Sequence, residues 1–324
     1  MSNIKNIAVF TSGGDAPGMN AAIRAVVRTG LYYNLNVFGI GRGYDGMVHD
    51  DIFPMDAKSV ANIIQRGGTI LKTARSDEFR TVEGRQQAYE NLKKHNIDGL
   101  VAIGGDGTFT GALKFIEEHN IPIIGLPGTI DNDLVGTDFT IGYDTAINTV
   151  IDAVDKIRDT AESHDRVFVV EVMGRDSGLI ALRAGISVGA ECVLIPEIKV
   201  DYEAMMDRLD RTRKNKASRV IIVAEGDDAG AFAVAERIKE RFPHYDLRVS
   251  ILGHIQRGGS PSCMDRVLAS RLGVIAVEAL LEGRRGEMAG LIHSQTAFTP
   301  FNKAIKHIGT ANENLLRLVD ILSL

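Results

Sequence analysis

Short apolar, β-branched runs recur along this chain, and each ends in a polar loop rich in glycine. Ile7–Thr11 runs into Ser12-Gly13-Gly14-Asp15, and Leu100–Ile103 into Gly104-Gly105-Asp106-Gly107. Ile121–Leu126 is followed by Pro127-Gly128-Thr129-Ile130-Asp131-Asn132-Asp133, and Val167–Val172 by Met173-Gly174-Arg175. Val220–Ala224 leads to Glu225-Gly226-Asp227, and Val249–Leu252 to Gly253-His254-Ile255-Gln256-Arg257-Gly258-Gly259. Helical periodicity follows the first two loops, with Ile23, Val26, Val27 and Leu31 on one stripe and Ala112, Leu113 and Ile116 on another. A strand that is apolar at every position is buried on both faces, which predicts mainly parallel sheets covered by helices. Alternation of such strands with helices predicts a doubly wound α/β fold. Ligands of these folds bind at the carboxyl ends of the strands. Those ends are where the chain puts its Asp, Arg, His and Gly residues.

A length of 324 residues predicts about two domains, although no Ser/Gly/Pro-rich linker, short repeat or low-complexity tract marks a boundary. The composition, 44% hydrophobic and 24% charged, is that of a globular protein with a full core. A net charge of −5 argues against a general nucleic-acid or anionic-membrane binder. Cys192 and Cys263 have no metal-type spacing and read as two reduced thiols. No signal-peptide pattern opens the chain, and no apolar run reaches the ~18–20 residues of a membrane span. The expectation is a cytoplasmic protein. The strongest charge run, Arg211-Thr212-Arg213-Lys214-Asn215-Lys216, is either a solvated helix end or an anion site.

The P-loop pattern G-x-x-x-x-G-K-[ST] is absent, as are H-E-x-x-H and C-x-x-C. A G-x-G-x-x-G does occur at Gly41-Arg42-Gly43-Tyr44-Asp45-Gly46. A dinucleotide fingerprint needs a helix next, whereas Met47–Pro54 reads as a turn and a short extended piece. The segment is therefore expected to be a plain loop, with Tyr44 available to border a nucleotide base.

The other glycine loops carry more chemistry. Gly13-Gly14 is either a tight turn or a place where a helix N-terminus receives an anion. Asp106 between glycines is either a helix cap or a Mg²⁺ ligand, since Mg²⁺ takes few protein carboxylates alongside phosphate oxygens. Asp131 and Asp133, two apart, point to one side if their loop is extended. They could then divide the work of accepting a proton and holding water or metal; the alternative is an Asx-turn. Arg75, Arg166, Arg175, Arg248 and Arg257 lie in or beside loops, where guanidinium forks suit phosphates. His254 is either a satisfied turn histidine or a ligand contact.

Five segments in this order, Thr11–Asn20, Gly104–Thr108, Gly125–Asp133, Glu171–Arg175 and Leu252–Ser260, resemble the bacterial ATP-dependent 6-phosphofructokinases. The likeness runs from near Ile7 to about Glu282 and is weak after Gly290. It implies two Rossmann-like domains with the active site in the cleft between them. An ATP-binding domain would comprise 1–141 plus 255–308, and a fructose 6-phosphate-binding domain 142–254 plus 309–324. Asp131 would be the general base on the sugar 1-hydroxyl, with Thr129 and Arg175 beside the transferred group. Gly14, Arg75, Ser76, Gly105, Asp106, Gly107 and Thr108 would hold ATP, with Asp106 on Mg²⁺. Thr129, Ile130, Asp131, Met173, Gly174, Arg175, Glu225, His254, Ile255, Gln256 and Arg257 would hold the sugar phosphate. Arg166 and Arg248 would reach a neighbouring subunit's 6-phosphate, which makes a homotetramer part of the expectation.

The resemblance also implies an effector pocket for ADP or phosphoenolpyruvate at Arg24, Arg28, Arg158, Glu191, Lys214 and Lys216. Ala57 departs from the family where an effector-contacting arginine is often found, and Ser218 lies near where a basic residue may sit. Pyrophosphate-using relatives typically carry Asp at the position of Gly107 and Lys at that of Gly128, so glycine at both implies ATP as donor. A different kinase built on a G-G-D-G loop, such as an NAD or lipid kinase, would share Gly104–Thr108 but have no use for Thr11–Asn20 or His254–Gly259. A non-catalytic nucleotide sensor would lack the acids that stand at 106 and 131.

Overall fold

The apolar runs become strands, and the stripes behind them become helices. In chain order the elements are β1 (Asn6–Thr11), α1 (Met19–Tyr32), β2 (Asn36–Ile40), α2 (Tyr44–Val48), β3 (Ile52–Met55), α3 (Val82–Lys94), β4 (Gly99–Gly104), α4 (Asp106–His119), β5 (Ile123–Pro127) and α5 (Tyr143–Glu162). There follow β6 (Val167–Val172), α6 (Leu179–Ser187), β7 (Cys192–Leu194), α7 (Tyr202–Thr212), β8 (Arg219–Ala224), α8 (Gly230–Arg241) and β9 (Leu247–Ile251). The last are α9 (Cys263–Leu281), β10 (Glu287–Ile292), β11 (Gln295–Pro300), α10 (Phe301–Ala304) and α11 (Glu313–Leu322). This computed structural model describes residues 4–163, 166–212, 218–227, 230–305 and 312–322. None of its described helices is long and apolar enough to cross a membrane.

The chain divides into two units. The first comprises Met1–Ile130, Leu134–Thr145 and Arg257–His307, and the second Asp131–Asp133, Ala146–Gln256 and Ile308–Leu324. The first unit carries a seven-stranded sheet in the order β11-β10-β5-β4-β1-β2-β3. Its five inner strands run parallel, and each edge adds an antiparallel strand, β3 on β2 and β11 on β10. Alternate residues of each strand face opposite ways. Ala8, Phe10, Leu100, Ala102 and Ile123 enter a core with Leu92 of α3, Phe109, Ala112 and Phe115 of α4, and Phe301 of α10. On α9, a Cβ at Gly273 would stand 2.5 Å from the Ala25 Cβ of α1. The small residues at 25 and 273 thus set how closely these two helices pack.

The second unit has a four-stranded parallel sheet in the order β7-β8-β6-β9. β8 is buried along its whole length, whereas β9 at the edge is half-covered. The core joins Val167, Val169, Ile221 and Val223 to Leu209 of α7 and to Val234 and Ile238 of α8.

Two buried ionic groups fix parts of the first unit. The Asp265 carboxylate, 1% exposed, accepts from the Gly142 and Thr145 amides and the Thr145 hydroxyl, and so ties the start of α5 to the start of α9. Arg85 of α3 donates twice to Glu118 of α4, at 2.7 and 2.6 Å, and twice more to the carbonyls of Phe79 and Arg80. The Arg85 bond holds the Glu118 carboxyl below its ordinary value. Glu118→Gln should therefore lower stability by about 1–2 kcal/mol near pH 7, because it removes the charge from a partly buried pair while the carbonyl bonds of Arg85 remain. The charged pair contributes in full above the unfolded glutamate value of about 4.3 and is lost as pH falls through the lower folded value. Urea unfolding of both proteins should show the gap closing in acid. An unchanged gap at pH 3 would mean that the loss came from packing and not from charge.

Candidate functional site

The first unit builds its loops at a topological switch point. From β1 the chain passes through α1 to β2 on one side, whereas β4 and β5 lie on the other side of β1. Gly13-Gly14 after β1 and Gly104–Thr108 after β4 flank that reversal, where open α/β sheets bind ligands. The two strand ends touch. The Ser12 amide donates to the Ile103 carbonyl at 3.0 Å, and the Thr108 hydroxyl donates to the Ser12 carbonyl at 3.1 Å. A Cβ on Gly104 would stand 2.2 Å from Thr108 Oγ1 and 2.5 Å from the Ser12 oxygen, so no side chain fits there. At Gly107, by contrast, a Cβ would meet nothing within 4 Å.

Gly105 takes the cap position of α4 with no side-chain hydrogen bond to the helix. Asp106 opens the helix, and Thr110 donates back to the Asp106 carbonyl. Tyr44 lies beneath, its hydroxyl donating to the Thr108 carbonyl at 2.6 Å and its ring stacked on Phe79 at 4.0 Å. The next strand end, Gly128-Thr129, sits beside the loop: the Gly128 amide donates to the Gly104 carbonyl, and Thr140 donates to the Thr129 carbonyl. Ile130 is fully buried. The Arg257 guanidinium lies over Gly14, where a Cβ would be 2.5 Å from its Nη1, and donates to the Asp15 carbonyl. Arg75 is exposed, and the Ser76 hydroxyl beside it accepts from the Phe79 amide.

The G-x-G-x-x-G segment is not the plain loop expected, because its last three residues open a helix, the five-residue α2, which ends at Val48. The glycines there serve packing. A Cβ on Gly41 would stand 2.1 Å from an Asp51 carboxylate oxygen, and one on Gly46 1.7 Å from the Gly41 carbonyl. The extended piece is β3, paired antiparallel to β2.

Asp131–Asp133 belongs to the second unit. Asp131 is buried. The extended loop assumed for this segment does not form, because Asn132 takes a left-handed φ of 52°. The two-residue alternation of an extended chain therefore does not relate Asp131 to Asp133.

The strand ends of β6, β8 and β9 form a second constellation within that unit. The Arg175 amide donates to Glu225 Oε1 at 2.8 Å, and the Met173 amide to Gln256 Oε1 at 3.2 Å. Gly174 has a φ of 143°, and its Cβ would press the Ser177 carbonyl. Glu171 is a cap, accepting from the Ala231 amide at the start of α8. His254 and Ile255 are exposed on a short 3-10 turn, Gly253–Arg257, rather than an open loop. At the opposite, amino-terminal ends of β6 and β9, Arg166 and Arg248 share one carboxylate: Asp246 accepts from Arg166 at 2.7 Å and pairs with Arg248 at 2.5 Å. The Arg166 bond keeps the Asp246 carboxyl below its usual range. Asp246 escaped the sequence reading; its only signal is its place two residues before Arg248.

The effector candidates fall in both units. Arg24 and Arg28 lie on α1. Arg158 donates to the Val188 carbonyl at 2.5 Å. Glu191 is fully enclosed, its carboxylate accepting from the Val220 amide at 2.6 Å. Lys214 and Lys216 lie outside the described residues.

A phosphofructokinase family model matches residues 6–280. The chain belongs to the phosphofructokinase family. It is 58% identical over 322 residues to the ATP-dependent 6-phosphofructokinase of Cytophaga hutchinsonii, covering 99% of this chain and 98% of that one. It is 54% identical to ATP-dependent 6-phosphofructokinase 1 of Thermus thermophilus, covering 99% and 100%. Among solved structures, phosphofructokinase from Saccharomyces cerevisiae matches with a TM-score of 0.89 and 39% identity over 98% of this chain. This chain spans 48% of the length of the yeast chain. The pyrophosphate-dependent phosphofructokinase of Marinobacter aquaeolei, at 22% identity and a TM-score of 0.83, over 98% of this chain and 91% of that one, shares the fold.

Within the second constellation, Gly226 is the tightest point: a Cβ there would stand 1.9 Å from the Arg175 carbonyl. Gly226→Ala should destabilise by about 1–3 kcal/mol through overpacking. Thermal unfolding at the parent's Tm would show this geometry to be wrong.

Proposed function

We propose that this phosphofructokinase transfers the γ-phosphoryl group of ATP to the 1-hydroxyl of fructose 6-phosphate. The observation that carries the reading is the ledge at the switch point of the first unit. There, the Gly13-Gly14 and Gly104–Gly107 loops flank an α4 N-terminus without a side-chain cap, which begins at Asp106. Such a ledge suits a polyphosphate. The full-length relatives named ATP-dependent 6-phosphofructokinase support the same reaction.

The first unit is then the nucleotide half. Gly14, Arg75, Ser76 and Gly105–Thr108 hold the donor. Asp106 fits Mg²⁺, because that ion takes one or two carboxylates and completes its shell with water and phosphate oxygens. No group of three His, Cys, Asp or Glu side chains able to hold a metal occurs among the described residues. When bound, the ion neutralises charge on the transferring group. The second unit is the sugar-phosphate half, with Met173, Gly174, Arg175, Glu225, His254, Ile255 and Gln256 as contacts and Asp131 as the base. Thr129, Ile130 and Arg257, from the first unit, complete the set. Catalysis is positioning and charge neutralisation by Arg75 and Arg175, through a loose in-line transition state. Assembly into a homotetramer, with Arg166 and Arg248 serving a neighbouring subunit, belongs to the same proposal. So does a response to ADP or phosphoenolpyruvate at the effector residues.

Two variants test this. Asp131→Ser should retain binding of both substrates while kcat falls by roughly 10²–10⁴-fold. A kcat within a few-fold of the parent in a coupled assay would remove Asp131 as the base. Gly107→Ala places its methyl in open space within the first turn of α4, so stability should hold or rise by up to about 1 kcal/mol. KM for ATP should increase nonetheless. An unchanged KM would clear the donor from that position.

A further inference from the structure

Residues 65–72 form no helix or strand, yet several of the segment's backbone groups are held by side chains and backbone elsewhere in the unit. Asn20 of α1, 1% exposed, spends its whole amide on it. Its Nδ2 donates to the carbonyls of Arg66 at 3.0 Å and Gly67 at 3.1 Å, and its Oδ1 accepts from the Ile70 amide at 2.8 Å. Thr11, fully buried at the end of β1, bonds through its hydroxyl with Thr69 Oγ1 at 3.0 Å and with the Lys72 carbonyl at 2.9 Å. Ser260 donates to the Gln65 carbonyl at 2.9 Å, and the Arg42 amide donates to the Leu71 carbonyl at 2.7 Å. A Cβ on Gly67 would stand 2.2 Å from the Gly259 carbonyl, so the strap lies flush on that loop.

Thr11 and Asn20 bracket the Gly13-Gly14 loop, and the strap they grip runs straight into Arg75. We infer that Asn20 and Thr11 are positioning residues that lock the strap, and through it the Arg75 guanidinium, to the glycine loop, so that both reach one polyphosphate. The inference rests on the proposed donor role of Gly14 and Arg75. An irregular segment has no ladder to hold it, so side-chain bonds to its backbone are what define its path. Arg75 itself is exposed and would otherwise sample many rotamers from a loose base.

The test is a double-mutant cycle in the full chain. Asn20→Ala should lower kcat/KM for ATP by about 10- to 100-fold, the scale of a small misplacement of a binding group. KM for fructose 6-phosphate should stay within about twofold. In an Arg75→Ala background the same substitution should change kcat/KM for ATP less than about threefold, because the group it positions is gone. Thr11→Val keeps the β-branched shape and removes only the hydroxyl; it should show the same non-additivity and serves if the Asn20 variant folds poorly. Equal losses in both backgrounds, or equal effects on both substrates, would make the strap a purely structural feature and overturn the inference. Absence of turnover in the parent protein would instead sink the functional reading, and the strap's role with it.

Discussion

In the first unit, the ends of β1 and β4 meet so closely that the backbone itself becomes the surface. With the Ser12 amide on the Ile103 carbonyl and Thr108 reaching back to the Ser12 carbonyl, only glycine can stand at 104. The consequence is a ledge of peptide groups at the reversal point of a parallel sheet, opening into the uncapped first turn of α4. Three further groups are placed relative to it. Gly128 donates onto it, Arg257 lies over its Gly14, and Tyr44 braces it from beneath through the Thr108 carbonyl. Polyphosphate recognition by main-chain donors needs that rigidity, since a ledge that moved would lose several weak bonds at once.

The elements legible in the sequence were those buried on both faces. β1, β4, β5, β6 and β8 are apolar at nearly every position, because helices cover both sides of the sheet, and their boundaries shifted by only a residue or two. The edges were harder to read. β10 and β11 are joined by His293-Ser294, both at positive φ, where a turn signal of Asn-Gly would have been expected. α2 is too short for periodicity to register, and its glycines are explained by contacts with Asp51 and Gly41 that no local pattern reveals. At the candidate site, residue types were legible but relations were not. Asn132 at a left-handed φ undid the same-side reading of its two flanking aspartates, and Asp246 became visible only once its two arginines were seen to converge on it.

The two units use one device with different chemistry. Both present loops at the carboxyl ends of parallel strands, cleared by glycines that tolerate no Cβ: Gly104 in one, Gly174 and Gly226 in the other. The first builds its loops from glycines with Asp15 and Asp106 beside them. In the second, Glu225 accepts from the Arg175 amide at those ends, while the Arg166–Asp246–Arg248 group lies at the opposite, amino-terminal ends of β6 and β9. A guanidinium pair sharing one carboxylate keeps a net positive charge, and the shared carboxylate restrains both side chains.

Arg175 shows what such restraint costs. Its φ of 58° lies in the left-handed region, which a non-glycine residue adopts at a penalty of order 1 kcal/mol. The turn persists because its amide is held by Glu225 and because Gly226 yields the space its carbonyl occupies. Glu225 is therefore the clamp on a strained arginine. Strain of this kind, held by partners within the same constellation, is retained where the direction of one side chain matters more than the stability of its turn.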